Sequence, residues 1–461
     1  MSDIRFERRM SDMDALMWSI EKDPLLRSTI TSIALLDGPI DRDRLLDKVE
    51  RGTRQIPRLR QRPISAPLAL APPKWVVDPN FDIRYHVRFV STPGTGSLRD
   101  LLDFAAPIAM QGFDRARPLW EFVVVENLDG GRSALIQKIH HAITDGVGAI
   151  QLALMLLDME RHPTADPGPL PPEPEPESVA TIALMRENLE HETRRQLGIA
   201  QRSLRALVSA RRDPWGAVKN TADTLGSAVR LLAPATTPLS PIMTGRSLSV
   251  RFDTLVAPMG DLKSAAKKAD GRLNDAFVAA IVGGLDRYHR VHGAATNALR
   301  MSMPINIRDD STQGLAGNQF VPARFPVPLG IADPVERMRA IRGNVSTARA
   351  EPALALTEPI AGVLNRLPTT VTTQAFGSML KGIDFVTSNV PGVPFQVYLA
   401  GARVEANYAF GPLAGAAINT TLLSYLDEVH IGVNVDPAAV PDHDVLLECL
   451  REGLDEIVKL A

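Results

Sequence analysis

The sequence contains little of several features on which common protein classes depend. Its 461 residues include a single cysteine, Cys449, which excludes an internal disulfide and fits a reducing compartment. A net charge of -2 gives no general attraction to nucleic acid. No apolar run approaches the roughly 18 residues of a membrane-spanning helix, and the charged start MSDIRFERRM differs from a secretory signal. We therefore expect a cytoplasmic protein.

The sequence does contain the balanced composition of a large globular protein. With 45% hydrophobic and 23% charged residues, the chain is long enough to form sizeable cores. Strand-like and helix-like segments alternate on both sides of a proline-rich stretch, PTADPGPLPPEPEP, which favours an extended linker. We predict an α/β protein with an N-terminal domain over residues 1–163, a linker with basic helices over 164–243, and a C-terminal domain over 244–461.

The residues best suited to chemistry are concentrated in one segment, KIHHAITDGVGAI. Two adjacent histidines there follow a predicted strand. Adjacent side chains of an extended segment point to opposite faces, so we expect one of His140 and His141 to enter a cleft while the other packs inside the protein. A neutral imidazole accepts a proton near physiological pH, as a general base must. Gly146 allows the backbone to bend and leaves room for a substrate.

Other interpretations of these residues stay open at this point. A histidine at the end of a strand is usually structural, and Asp145 taken by itself is better explained as the N-cap of a following helix. His140, His141 and Asp145 are three possible metal ligands. However, neither a His-Glu-x-x-His spacing nor a pair of cysteines accompanies them, so we expect no metal site. The motifs of serine hydrolases, P-loop nucleotidases and dinucleotide-binding domains are absent.

A resemblance to a known family narrows these alternatives. HHAITDG matches the His-His-x-x-x-Asp-Gly motif of the CoA-dependent acyltransferase superfamily. Five further segments resemble, in order and spacing, the blocks of the bacterial wax ester synthase/diacylglycerol acyltransferase family. These segments are PKWVVDPNFDIRYHVR, FDRARPLWEF, RLNDAFVAA, GNQF and SNVPGVPFQVYLAGARV. The resemblance covers nearly the whole chain except the proline-rich stretch.

The resemblance implies a fold and a mechanism. The fold would be two chloramphenicol-acetyltransferase-like domains with an active-site tunnel between them, open to acyl-CoA at one arm and to a lipid alcohol at the other. His141 would be the general base that takes the hydroxyl proton as the alcohol oxygen attacks the thioester carbonyl. Asp145 would hold the loop in shape by pairing with an arginine, for which Arg308 is our candidate. Gly146 would keep the passage open.

The same resemblance implies further site residues. Asn274 would direct its amide at the oxyanion or hold the alcohol, although capping of the next helix by Asn274 or Asp275 explains the same residues equally well. A Pro-Leu-Trp element is associated with the substrate tunnel, with core packing at a strand start as the alternative. An acidic residue of the first helix is matched by Glu21, with a solvated surface charge as the alternative. The residues that we expect to contact substrate are Pro118, Leu119, Trp120, Glu21, His140 and Gly146.

The implied activity is esterification of diacylglycerol or a long-chain alcohol, with acyl-CoA as co-substrate and no bound cofactor. An acyltransferase for another lipid or polyketide alcohol is one alternative, and a weakly catalytic lipid-binding protein is the other. The chain departs from the family where KDPLLRST replaces a frequent Met-His pair and where VNVDPAAVPD replaces a usual Cys-Arg-Asp stretch. These departures concern specificity more than the catalytic histidine.

A basic segment of the chain could bring the protein to the lipid surfaces that hold its water-insoluble substrates. Residues 194–230 include eight basic and two acidic residues. A helix here would have an apolar face with a basic flank, as interfacial helices do. We expect peripheral contact with the inner membrane face or with lipid droplets, and packing on the domain junction is the alternative. The apolar residues are Leu197, Leu204, Leu207 and Val208, and the basic ones are Arg195, Arg202, Arg205 and Arg212.

Overall fold

The structure is a computed structural model, and it describes residues 5–65, 71–143, 154–164, 167–177, 181–210, 237–306, 315–316, 320–351 and 357–461. The strands are β1 Arg5–Phe6, β2 Thr29–Leu36, β3 Gln61–Ile64, β4 Lys74–Val77, β5 Val87–Ser91, β6 Trp120–Glu126, β7 Ser133–His140, β8 Leu157–Asp158, β9 Arg251–Pro258, β10 Ala298–Asn306, β11 Leu315–Ala316, β12 Phe320–Pro328, β13 Phe385–Val390, β14 Tyr398–Leu399, β15 Ala402–Phe410, β16 Ile418–Tyr425 and β17 Glu428–Val435. The helices are α1 Asp12–Ile20, α2 Arg42–Gln55, α3 Ile83–His86, α4 Leu98–Met110, α5 Thr181–Ala210, α6 Met259–Lys268, α7 Leu273–Val291, α8 Pro334–Arg349, α9 Thr357–Leu364, α10 Thr369–Lys381 and α11 His443–Val458.

Two large mixed sheets organise these elements. One has seven strands in the order β5-β6-β7-β2-β15-β14-β8, and the other has six in the order β12-β10-β13-β16-β17-β9. Both combine parallel and antiparallel pairs, because β5 runs parallel to β6, and β13 runs parallel to β10 and β16. Helices pack against both sheets, which confirms the α/β prediction.

The two halves of the chain are interleaved in a way that local sequence patterns did not indicate. Strands β14 and β15 come from the predicted C-terminal domain, yet β15 pairs with β2 in the seven-stranded sheet. Strand β14 also pairs with β8, which precedes the proline-rich stretch. The domain boundaries remain predictions, but residues 398–410 complete the sheet of the other half.

Close backbone contacts join the two sheets along β15, and we call this junction the seam. The backbone N–H of Asn407 donates to Nδ1 of His430 at 3.0 Å, and the side chain of Asn434 donates to the carbonyl oxygen of Gly411 at 2.9 Å. Gly432 of β17 lies so close to β15 that a Cβ atom on it would be 2.1 Å from the carbonyl oxygen of Ala409. The seam therefore requires glycine at this position.

The C-terminal half is built around helix α7. Most of its residues are buried between the six-stranded sheet and its neighbouring helices. Its Gly284 faces Leu450 of α11, where a Cβ atom would be 2.7 Å from the Leu450 Cα atom, so the two helices approach closely. Cys449, 6% exposed, lies in the same contact on α11, as its sequence context predicts.

Helix α5 faces the protein on one side and solvent on the other. Leu184 and Asn188 are buried, and the guanidinium of Arg195 pairs with the carboxylate of Asp12 at 2.6 Å. Arg195 therefore does not belong to an outward basic flank, which corrects that part of the prediction, whereas Leu197 is 60% exposed. The predicted positions at Arg202, Leu204, Arg205, Leu207, Val208 and Arg212 lie outside the residues whose side chains are described. In the described part of the chain, we find no helix long and apolar enough to cross a bilayer.

We predict that Gly432→Ala lowers the free energy of unfolding by about 1–3 kcal/mol, because the added methyl group must push β15 away from β17. Gly343→Ala in helix α8 is the matched control, since no atom lies within 4 Å of a Cβ atom there. That control should stabilise the protein by roughly 0.5–1 kcal/mol. Urea denaturation measures the free energy of unfolding of both variants. If Gly432→Ala is as stable as the wild type, the seam does not require glycine at this position.

Candidate active site

A cavity of about 320 Å³ lies between the two sheets, and we call it the intersheet cavity. The seven-stranded sheet contributes residues of β2, β7 and β15 to its wall, and the six-stranded sheet contributes residues of β10, β12, β13 and β16. Helices α1, α9 and α10 cover it with apolar side chains such as Leu16, Ile360 and Met379. Most of the lining is apolar, which suits a lipid ligand.

The two histidines of the motif lie on opposite faces of the seven-stranded sheet. Gln137, Ile139 and His141 line the intersheet cavity. Lys138 and His140 alternate with them along the chain and are both 0% exposed. The period of two along an extended segment thus separates the adjacent imidazoles, so that His141 is in contact with the cavity and His140 is enclosed by protein.

A network around Glu21 fixes the backbone that holds His141. Glu21 directly follows α1, and its Oε1 atom accepts hydrogen bonds from the backbone N–H of Ser28 at 2.6 Å and from Nε2 of His140 at 2.9 Å. The carbonyl oxygen of Ser28 in turn accepts from the backbone N–H of His141 at 2.8 Å. Nδ1 of His140 accepts from the backbone N–H of Ala142 at 3.0 Å. Two consecutive N–H groups of the loop are therefore held by groups that Glu21 binds.

The charge state of Glu21 depends on this network. Burial raises the pKa of its carboxyl group, but attraction to the His140 ring and the hydrogen bonds from His140 and Ser28 lower it. The net pKa lies below the ordinary value of 4.5. Glu21 is therefore ionised at neutral pH, and it contacts protein groups here as a positioning residue.

The Pro-Leu-Trp segment lies at the start of β6, next to the end of β7 that carries the histidines. The carbonyl oxygen of Leu119 accepts from the backbone N–H of His140 at 3.0 Å. The ring of Trp120 is buried against His86, with ring centroids 4.4 Å apart, and its Nε1 atom donates to the carbonyl oxygen of Leu59 at 2.7 Å. Among the described residues that line the intersheet cavity, we find none of Pro118, Leu119 and Trp120. The structure thus gives the segment a core position, and its contact with substrate stays a prediction.

Asn274 lies near the start of helix α7, on the helix side of the six-stranded sheet. Its amide donates to the sulfur of Met303 at 3.7 Å, whereas Ser302 and Pro304, the neighbours of Met303 on β10, line the intersheet cavity. Asp275 forms the expected cap, because its carboxylate accepts from the backbone N–H of Arg272 at 2.7 Å. The role of Asn274 at an oxyanion stays a prediction. Asp145, Gly146 and Arg308 lie outside the described residues.

Several polar residues of the cavity were not anticipated. Arg324 of β12 lines the wall, where burial, together with the nearby Arg300, lowers the pKa of its guanidinium. Ser32 and Gln137 face the cavity from neighbouring strands. The segment TITSIALL is typical of a strand, but Thr31 and Ser32 are adjacent and so lie on opposite faces, and the pattern therefore did not indicate that Ser32 meets a cavity.

The comparisons with known proteins agree with one another. Two family models match the chain: the wax ester synthase/diacylglycerol acyltransferase catalytic domain over residues 10–277 and the C-terminal domain of the same family over 316–458. A putative diacylglycerol O-acyltransferase of Mycobacterium tuberculosis strain H37Rv is 37% identical over 461 residues, which cover 99% of this chain and 93% of that protein. A probable diacylglycerol O-acyltransferase of the same strain is 26% identical over 441 residues, which cover 94% of this chain and 91% of that protein.

Two solved structures are similar over the whole chain. The wax ester synthase/diacylglycerol acyltransferase from Marinobacter aquaeolei VT8 has a TM-score of 0.62 and 23% identity, covering 97% of this chain and 98% of that one. The first condensation domain of the CDA synthetase has a TM-score of 0.59 and 15% identity, covering 99% of this chain and 97% of that one. At these identities the likeness shows the fold, and it confirms the predicted pair of acyltransferase-like domains.

We predict that Glu21→Gln lowers the free energy of unfolding at pH 7 by about 1–3 kcal/mol, since a neutral amide replaces a buried carboxylate that accepts two hydrogen bonds. The pKa of Glu21 is depressed, so its contribution is present above the ordinary value and is lost as the pH falls through the folded-state value. The difference between the two proteins should therefore shrink on acidification. Urea denaturation across acidic pH measures it.

The control for this prediction is Glu160→Gln, because the Glu160 side chain is exposed. Its stability should follow that of the wild type at every pH. A difference between wild type and Glu21→Gln that stays constant down to strongly acidic pH would contradict a stabilising role of the ionised carboxylate.

Proposed function

Since the chain belongs to the wax ester synthase/diacylglycerol acyltransferase family, we propose that this O-acyltransferase transfers an acyl group from acyl-CoA to the hydroxyl group of diacylglycerol or a long-chain alcohol. The observation that most supports the proposal is the position of His141 on the wall of the intersheet cavity, within the stretch that matches the catalytic-domain model. The largely apolar lining suits an acyl chain and a lipid alcohol.

In the proposed reaction, His141 acts as general base. Its imidazole takes the proton of the acceptor hydroxyl as the oxygen attacks the thioester carbonyl carbon and a C–O bond forms. The tetrahedral intermediate then collapses, the C–S bond breaks, and the imidazolium returns the proton to the leaving thiolate. The products are an ester and free CoA, and the reaction uses no bound cofactor or metal ion.

The surroundings of His141 support this role. The backbone N–H of His141 is bonded to Ser28, and the loop is held through Glu21 and His140. These bonds fix the position of the His141 Cα atom, from which the ring extends. Among the described residues of the cavity wall, His141 is the sole imidazole. Apolar walls exclude water, which limits competing hydrolysis of the thioester.

We predict that His141→Ala lowers turnover roughly 100-fold to 10,000-fold, the usual contribution of a general base. The measurement uses radiolabelled acyl-CoA with a panel of acceptors, comprising diacylglycerol, hexadecanol and a phenolic polyketide alcohol, and separates triacylglycerol from wax ester. His162→Ala is the matched control, because His162 is exposed. It should retain wild-type turnover.

Three results would each contradict a part of the proposed function. A folded His141→Ala protein with wild-type turnover would exclude His141 as the base. Ester formation with the polyketide alcohol alone would instead favour the alternative acceptor class. Binding of acyl-CoA without any ester product would favour a lipid-binding protein.

We also propose that the protein works at a lipid surface, because its alcohol substrate and its product are both insoluble in water. Helix α5 supports this proposal with an outward apolar stripe. Ile182 is 83% exposed, Met185 39% and Leu189 62%, at spacings of three and four residues that place them on one face. Leu184 and Asn188, on the adjoining side of the helix, are buried, whereas the three apolar side chains of the stripe are open to solvent.

We predict that replacing Ile182, Met185 and Leu189 together by serine weakens binding to anionic liposomes by about tenfold or more, since each large apolar side chain contributes about 1.5–3 kcal/mol when fully buried. Liposome flotation measures binding. Val291→Ser is the control, because Val291 is 67% exposed on helix α7. Unchanged flotation of the triple variant would exclude this stripe as the anchor, and turnover on a short soluble alcohol should remain intact.

A further inference from the structure

Three amide and hydroxyl side chains form a polar patch in the wall of the otherwise largely apolar intersheet cavity. Ser32 and Gln137 stand directly opposite each other on β2 and β7, and the Ser32 hydroxyl donates to Oε1 of Gln137 at 3.1 Å. Asn407 on β15 lines the same wall one pair further along, opposite Ala34. We call Ser32, Gln137 and Asn407 the amide pocket.

The amide pocket has hydrogen-bonding capacity that the protein does not use. The amide nitrogen of Gln137 has no hydrogen-bond partner among the described residues. Oδ1 of Asn407 is buried and likewise lacks a partner in the described part of the chain, because His430 engages only the Asn407 backbone. A polar group without a protein partner at a cavity wall, such as the Gln137 amide nitrogen, is available to a ligand.

The strand register gives the amide pocket a defined depth. Gln137 precedes His141 by four residues along β7, a distance of roughly 13 Å at the rise of a strand. The pair Ile30 and Ile139 lies between them and makes this interval apolar. Leu135, which lies opposite Ala34 and so at the level of Asn407, belongs to the buried apolar core, so the sheet is apolar on the β7 side of Asn407.

A plain hydrocarbon chain at this position would displace water from the amide groups and offer no hydrogen bond in its place. An oxygen atom on the chain would accept from the amide nitrogen of Gln137, beside the polar side chain of Asn407. From this geometry we infer that the amide pocket binds an oxygen-bearing group, a hydroxyl or a carbonyl, in the middle of a long-chain substrate. The inference rests on the proposed function and names the substrate class that this site selects.

The test compares two donors, stearoyl-CoA and 12-hydroxystearoyl-CoA, with one plain alcohol. A second arm keeps stearoyl-CoA and compares octadecanol with 1,12-octadecanediol, which shows whether the oxygen is carried by the donor or by the acceptor. In either the donor arm or the acceptor arm, the wild type should favour the oxygenated substrate by about tenfold in kcat/KM, as expected for one or two buried hydrogen bonds. The arm that shows the preference identifies the substrate that carries the oxygen. Gln137→Met and Asn407→Leu keep the side-chain volumes and should abolish this preference.

Ile30→Leu is the matched control, because Ile30 lines the same wall without a polar group. It should change the rates for plain and oxygenated substrates alike and leave their ratio as in the wild type. Displacement of a fluorescent fatty acid by stearate and by 12-hydroxystearate gives the same ratio without turnover, and thermal melting verifies that each variant is folded.

Two outcomes separate this inference from the proposed function. If the wild type esterifies plain substrates but has the same substrate ratio as Gln137→Met in both arms, the inference is wrong and the proposed function stands. If no substrate is turned over, the proposed function fails, and the displacement ratio alone decides the inference. A ratio that Gln137→Met and Asn407→Leu leave unchanged would overturn it in either case.

Discussion

The intersheet cavity depends on one constraint: strand β15 belongs to the seven-stranded sheet while lying against the six-stranded one. Its hydrogen-bond ladder runs to β2, but its backbone also touches β17, where Gly432 is the residue that permits contact. Nδ1 of His430 accepts from the backbone N–H of Asn407 on β15, and the Asn434 amide donates to the carbonyl oxygen of Gly411 just past β15, and both bonds strengthen this junction. The two sheets therefore meet at β15, and residues of both sheets line the intersheet cavity.

Helix α1, which covers the cavity, is held in place by an ion pair and hydrogen bonds at its first residue. Helix α1 contributes apolar residues to the lining, and its first residue, Asp12, pairs with Arg195 of α5. The backbone N–H of Asp12 also donates to the carboxylate of Glu358 on α9 at 3.0 Å, and its carbonyl oxygen accepts from Asn365 at 2.8 Å. One end of α1 is thus tied to two other helices, while Glu21, just past its other end, is tied to the histidine loop. Helix α1 therefore connects α5 and α9 to the loop that carries His141.

Local patterns in the sequence predicted what depends on local geometry. The alternation of side chains along an extended segment predicted that His140 and His141 would face opposite ways, and the helical context of Cys449 predicted its burial. Patterns of this kind do not say which strands pair across hundreds of residues, so the placement of β14 and β15 was not predicted. Nor do they identify ion-pair partners, and for that reason Arg195 was predicted to lie on a membrane-facing flank although it binds Asp12.

The hydrogen bonds of the His140 ring suit this residue to a structural role beside the proposed base. Each ring nitrogen of His140 has a protein partner, since Nε2 donates to Glu21 and Nδ1 accepts from the Ala142 backbone. A ring whose two nitrogens are occupied in this way cannot take a proton from a substrate without breaking the bond that holds the loop. His140 is therefore suited to fixing the backbone and unsuited to proton transfer. The imidazole that is in contact with the cavity is that of His141, the base in the proposed reaction, and the loop that carries it is held by the hydrogen bonds of His140.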